Sequence, residues 1–259
     1  MKEEAIPFLI AEGLSLVLGG ILLYYYLRAR KLLDVMWAVD TYTAKELRTM
    51  CSDDFNATVE VQGQASCDRP ILSLVSQIPC CWCRTRVDLQ EVRNRATKSG
   101  IQTEHVWVNA LDRTDVAVFS VTDETGYTFV DPTNSEIDAE EPHVIITSQR
   151  EPWFGSIGYS DTGNYRITEE IFIPTGYIYV LGQASACQEG TSTDVLVHYP
   201  GEGYIDPGKP IFIISRKSER ELAQSQEITA KICLWIGIAA AISFVFCAWV
   251  LFGVIHWRP

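Results

Sequence analysis

The chain of 259 residues is 47% apolar and 21% charged, with a formal net charge of −12, and its mean hydropathy of +0.05 averages two apolar ends with a polar, acidic middle. The 33 Asp and Glu outnumber 21 Lys and Arg and no basic stripe exists, which excludes a protein that binds nucleic acid by neutralising phosphates. Seven Trp, eleven Tyr and ten Phe exclude intrinsic disorder, because they supply enough apolar surface to offset the entropy of ordering.

The first predicted element is a transmembrane helix over residues 7–27, PFLIAEGLSLVLGGILLYYYL, long enough to cross a hydrocarbon core of roughly 30 Å. Its one charged residue, Glu12, falls near the start, within reach of the interface. Tyr24, Tyr25 and Tyr26 form an aromatic belt at the other end, and Arg28, Arg30 and Lys31 follow. The start MKEEA lacks the cationic region of a signal peptide, so the segment reads as a permanent anchor. Residues 28–50 read as a juxtamembrane helical segment, with Leu32, Leu33, Met36 and Trp37 at helical spacing and Thr43-Ala-Lys-Glu46 as a capping box.

Residues 51–217 change texture. Short β-branched runs bounded by Gly, Pro, Asn and Asp predict strands near 58–62, 82–89, 105–109, 116–121, 127–130, 144–147, 167–173, 177–181, 195–199 and 211–214. They imply a β-rich α+β domain built as an antiparallel barrel or sandwich. Ser218-Glu-Arg-Glu221 is a second capping box, opening a juxtamembrane helix over 218–231 that runs into a second transmembrane helix over 232–255. Gly237 and Ala239 to Ala241 offer a small-residue surface against which another helix, such as the first span, can pack. The fold class expected is thus a membrane protein whose two transmembrane helices flank a β-rich domain. Arg28, Arg30, Lys31, Lys45, Arg48, Arg216, Lys217, Arg220 and Lys231 flank the spans on the inner side, against Lys2 and Arg258 outside, which places the middle domain in the cytoplasm. The whole segment between the two spans, residues 28–231, carries a net charge of −11.

Cys80-Cys81-Trp82-Cys83 is the densest reactive feature, with Cys51 and Cys67 upstream and Cys187 downstream. Structural zinc sites pair close-spaced ligands at two places, whereas Cys80 and Cys83 form the single C-x-x-C here. Strand alternation places Cys81 and Cys83 on one face and Cys80 with Trp82 on the other, so the C-x-x-C pair needs a turn to converge. Buried small hydrophobes are the leading reading, and a metal or redox site at Cys80 and Cys83 the alternative. His105, His143, His198 and His256 are scattered, and Asp138, Glu140 and Glu141 read as solvated loop charges. No catalytic set and no cofactor is expected.

Between Cys51 and Pro132 the order of features resembles the GIDE (MULAN) domain of membrane-anchored E3 ubiquitin ligases and their prokaryotic relatives. The resemblance rests on Val59-Glu-Val-Gln-Gly63, Pro70-Ile-Leu-Ser73, Ile78 to Val87, Trp107, and Phe119 to Pro132 with its Asp123-Glu-Thr-Gly126 turn. Glu169 to Gly182 and the stretch from Pro210 to Ser215 continue it, so that it covers nearly the whole chain, both spans included. It implies a protein that binds a protein partner or substrate at the membrane. The binding candidates are Arg84, Arg86, Asp123, Gly126, Tyr127 and Asp131. Asp123 to Gly126 equally reads as a hairpin turn, and Arg84 with Arg86, two apart on one strand face, as partners of the acidic surface or of a partner's carboxylate. In the ligases of the family a zinc-binding RING follows the second span and recruits the conjugating enzyme. Only His256-Trp-Arg-Pro259 follows it here, so ubiquitin transfer would need a RING supplied in trans. The mitochondrial members face this domain to the intermembrane space, the reverse of the charge count.

Overall fold

The computed structural model of the chain describes residues 6–52, 55–97, 100–155, 157–186, 194–200 and 211–256, so Cys187 lies outside the described residues. Two compact units emerge, one from the chain up to Asp40 and from Lys217 onward, the other from Thr41–Arg216.

In the second unit, five strands close into a barrel. β1 (Asn56–Ser66) pairs along its length with β11 (Tyr177–Ala186), from Asn56↔Ser185 to Gln64↔Tyr177. At its end it also pairs with β6 (Phe119–Asp123), which forms a hairpin with β7 (Gly126–Val130). β12 (Val195–His198) lies between β7 and β11 and completes the ring. Outside it, β13 (Ile213–Ser215) pairs with β11 and with β8 (Glu136–Ile137). The alternation that predicts these strands is also what fills the barrel: Val59, Val61, Phe119, Val121, Val130, Ile178, Val180 and Val197 all point into one buried core. The expectation of an antiparallel domain is corrected in one respect. The β7–β12 and β8–β13 pairs are parallel, because no tight hairpin joins either pair to fix its direction.

A second sheet, entirely antiparallel, has the order β5-β4-β10-β9, with β4 (Trp82–Thr97), β5 (Gly100–Val116), β9 (His143–Thr147) and β10 (Tyr165–Phe172). Val87, Leu89, Tyr165 and Ile167 on its inner face pack with Phe154 and Ile157 in a smaller core. Past Leu89, strand β4 has no β10 partner, and β4 and β5 continue as a two-stranded ribbon to Thr97↔Gly100. The sequence predicts only 82–89 of β4 and 105–109 of β5, since along most of the ribbon both faces are wet and Arg93, Asn94 and Arg95 leave no alternation to read. The two-residue strands β2 (Ile71–Leu72) and β3 (Pro79–Cys80) form a third, miniature sheet too short to carry a periodic signal.

The capping box at Thr43 is present: its side chain accepts from the Glu46 amide and Glu46 accepts from the Thr43 amide, opening α2 (Ala44–Met50). The exposed Glu46 carboxyl is held below its usual range by the Thr43 backbone and side-chain hydrogen bonds.

The other unit consists of two long helices that pack on one another, α1 (Ile6–Ala38) and α3 (Glu219–His256). The Ser218 box caps α3, with the Ser218 amide and hydroxyl each 2.9 Å from Glu221. Among the described residues one helical stretch, Glu219–Val245, is long and apolar enough to cross a membrane. Of the two flanking spans expected, the described residues show this one. Gly237 is not a point of close helix approach, since a Cβ added there would meet nothing within 4 Å.

Candidate functional site

The expected binding residues are best judged by what each already holds. On the outer face of β4, Arg84 grips Asp112 of β5 with Nε at 2.8 Å and Nη2 at 2.7 Å, while Arg86 Nε stands 3.7 Å from the same carboxylate. The Arg84 hydrogen bond holds the Asp112 carboxyl below its usual range. All three side chains are more than a third exposed, so screening limits the cluster to about 0–1 kcal/mol. Arg86, 39% exposed, lies on the same face as the exposed Val144 and Ile146 of edge strand β9.

Asp123, Gly126 and Tyr127 sit together where the β6–β7 turn meets α2. Burial alone raises the Asp123 carboxyl, but hydrogen bonds from the Ala44 amide (2.7 Å), the Thr125 hydroxyl (2.7 Å) and amide (2.6 Å) and the Gly126 amide (2.9 Å) hold it below its usual value. Gly126, in the turn, has a φ of +156°. Tyr127 lies under the Arg48 guanidinium of α2, 5.2 Å from the ring centroid. Asp131 forms a similar local turn, accepting from the Thr133 amide (3.0 Å) and hydroxyl (2.6 Å). These groups join α2 and the turns to the barrel.

A stability prediction follows for Asp123. Its folded pKa lies below its unfolded value, so its contribution is fully present above the unfolded pKa of about 3.9 and is lost as pH falls through the folded value. Asp123→Ala should cost about 1–2 kcal/mol at neutral pH. The gap to wild type should close in acid. Thermal unfolding of both proteins across that range checks it, and a gap independent of pH would refute the ionic role.

The cysteines are arranged differently from the strand alternation. The chain bends at Cys81, between β3 and β4, so that Cys81 and Trp82 enter the barrel core while Cys80 and Cys83 converge elsewhere. All three thiols are buried. Burial pushes the Cys81 thiol up to about 12. Interaction with the neighbouring Cys83 raises Cys80, which keeps its proton, and interaction with Cys80 lowers Cys83; the Thr85 hydroxyl and the Leu74 backbone also lower Cys83, against burial and the nearby Glu169.

Glu169, which sequence reasoning passes over, organises this pocket. It is 2% exposed and stands on β10 in the alternating buried series Tyr165, Ile167, Glu169. A carboxylate on the apolar face of a strand was the available signal. Its oxygens accept the Val75 amide (2.8 Å), the Ser76 amide (3.0 Å) and the Ser76 hydroxyl, with Cys83 Sγ 3.9 Å away. These donors belong to the 73–77 loop between β2 and β3. Ser73 Oγ braces it by accepting the Ile78 amide at 3.0 Å, and Gln77 takes a left-handed φ of +56°. Among the described residues no group of three or more His, Cys, Asp or Glu is placed to hold a metal ion. What the pocket offers is a dithiol beside a carboxylate.

A family model described as GIDE, E3 ubiquitin ligase, matches residues 89–249, more than half of the chain. The chain belongs to the GIDE family. The matched segment runs from the second sheet through the barrel into α3 and includes Trp107, Phe119 to Pro132 and Glu169 to Gly182. It begins after Val59 to Gly63, Pro70 to Ser73 and Ile78 to Val87, so the Cys80–Cys83 pair and the Arg84–Arg86 face of this GIDE-family chain lie outside it. No curated protein and no solved structure matches the chain.

Proposed function

We propose that this GIDE-family chain is a membrane-anchored binding protein that holds a protein partner or substrate beside the bilayer for ubiquitin-ligase chemistry. The carrying observation is that the family match continues without a break from the β-domain into the apolar helix α3. Domain and anchor then form one inherited unit. In this reading α3 enters the bilayer with Ile242, Val245 and Trp249 toward lipid, and α1, exposing Leu14, Leu16 and Val17, accompanies it. The cationic flanks keep the β-domain in the cytoplasm. The partner surface is the outer face of the second sheet, where Arg86 supplies donors for a carboxylate and Val144 (53% exposed) and Ile146 (65%) supply apolar contact.

The test places a photo-crosslinking residue at Arg86 or Ile146 in the full chain, in cells. A discrete adduct is expected from these positions and not from Arg93 on the distant ribbon. Equal yields at all three would overturn the assignment of the face. Carbonate extraction should leave the chain in the membrane pellet, and a membrane-impermeant maleimide should label the half-buried Cys51 only after lysis.

The family description favours a second reading, ubiquitin transfer with a RING supplied in trans. Purified chain added to activating enzyme, conjugating enzyme and a RING protein should then increase conjugates on the crosslinked partner. No increase would remove this reading and leave partner binding standing.

A further inference from the structure

We propose that Cys80 and Cys83 form a peroxide-reactive dithiol, closed over by the 73–77 loop, that converts reversibly to an intramolecular disulfide. The proposal stands on the cluster rather than on the C-x-x-C spacing. The bend at Cys81 turns Cys80 and Cys83 toward each other on the side of the strand away from the barrel core. Thr85 Oγ1 stands 3.7 Å and Glu169 Oε1 3.9 Å from Cys83 Sγ, and two successive amides of the loop, Val75 and Ser76, aim inward at Glu169. Such a run of convergent amides favours anions in a place that water does not reach. A buried cysteine serving only as a small hydrophobe, as Cys81 does in the barrel core, calls for none of these donors. Depression of the Cys83 thiol and elevation of Cys80 fit a nucleophile and a resolving partner.

The oxidant is hydrogen peroxide. The Cys83 thiolate sulfur attacks one peroxide oxygen and the O–O bond breaks. Cys83 becomes a sulfenic acid, and the departing hydroxide takes up the proton released by Cys83 to form water. The Cys80 sulfur then attacks the Cys83 sulfur, the S–O bond breaks, and the hydroxide leaves with the proton of Cys80 as a second water. Two thiols lose two electrons and two protons, and one peroxide becomes two waters. Both sulfurs are buried, so the rate-limiting event is opening of the loop. Glu169 holds that loop shut with two amides and a hydroxyl.

The experiment treats the full chain, reduced and in detergent, with hydrogen peroxide, blocks the remaining thiols with maleimide and maps them by tandem mass spectrometry. The expected first product has lost two hydrogen atoms, carries the bond between Cys80 and Cys83, and reverts with a dithiol reductant. Cys81→Ser should still form it, and Glu169→Gln should form it roughly tenfold faster, because loss of charge-assisted bonds of about 1.5 kcal/mol opens the loop more often. Oxidation confined to Cys51 and Cys67, or a Cys83 sulfinic acid without the disulfide, would overturn the proposal. Since wild-type protein alone decides between these products, misfolding of a variant cannot obscure the answer. The outcome is also independent of any ubiquitin-ligase role.

Discussion

Gly63→Ala is expected to destabilise the β-domain by about 3 kcal/mol, toward the top of the range for overpacking in a closed structure. Gly63 lies in β1 one residue before the strand begins to pair with β6 at Gln64↔Thr122, while still paired with β11 at Ile178. The barrel closes here. A Cβ at this position would fall inside van der Waals contact of the Thr122 carbonyl oxygen, 2.8 Å from its carbon and 3.0 Å from Val121 Cγ1. The obstacle is backbone already engaged in the ladder, so relief requires β6 to move away from β1 and to give up the pairing that closes the ring. Gly20→Ala in α1 is the control, because a Cβ there meets nothing within 4 Å, and it should change stability little. Thermal unfolding followed by tryptophan fluorescence measures both. A Gly63→Ala protein as stable as wild type would mean that the ring is not closed as described.

Phe172→Ala should be costlier still, about 3–5 kcal/mol, lowering the midpoint of unfolding by on the order of 10 °C. Phe172 ends β10 and is fully buried in the barrel core, its ring 6.2 Å from that of Phe119. Its backbone oxygen accepts the Cys81 amide at 3.0 Å, tying the second sheet to the bend that separates Cys81 from Cys80 and Cys83. The Arg216 guanidinium lies over its ring, 5.1 Å from the centroid; Arg216 pairs with Glu140 at 2.5 Å and has its buried Nε without a hydrogen-bond partner. Truncation would leave both a cavity and a cation with no ring to cover it, which argues for the upper end of the range. Phe172→Leu, which keeps most of the apolar volume, should lose less than half as much. If alanine costs under about 1 kcal/mol, this corner is not the packing centre that its burial implies.

The residues of the candidate site differ in how far the sequence discloses them. Arg84 and Arg86 share a face because strand periodicity alone dictates it, but Asp112, the carboxylate they meet, lies across a long hairpin whose register depends on an irregularity at Val87/Asp88. The turn at Asp123 is legible from its residues; that its carboxylate also accepts the Ala44 amide of α2, 79 positions earlier, is not. Alternation wrongly pairs Cys81 with Cys83, because a bend of one residue breaks the period and a two-residue strand leaves no trace in composition.

By itself, then, the sequence determined the elements whose cause is local or periodic. These are the capping boxes at Thr43 and Ser218, the apolar α3, the alternating barrel strands, and the order of motifs that resembles the GIDE domain. Only the tertiary structure decided the parallel strand pairs, the closure of the barrel at Gly63, and the meeting of Cys80, Cys83 and Glu169 under the 73–77 loop. Glu169 and Cys83 are 86 positions apart. Which side chains at such separations face each other follows from register and chain reversal summed over several strands, and no local pattern of apolar and polar residues encodes that sum.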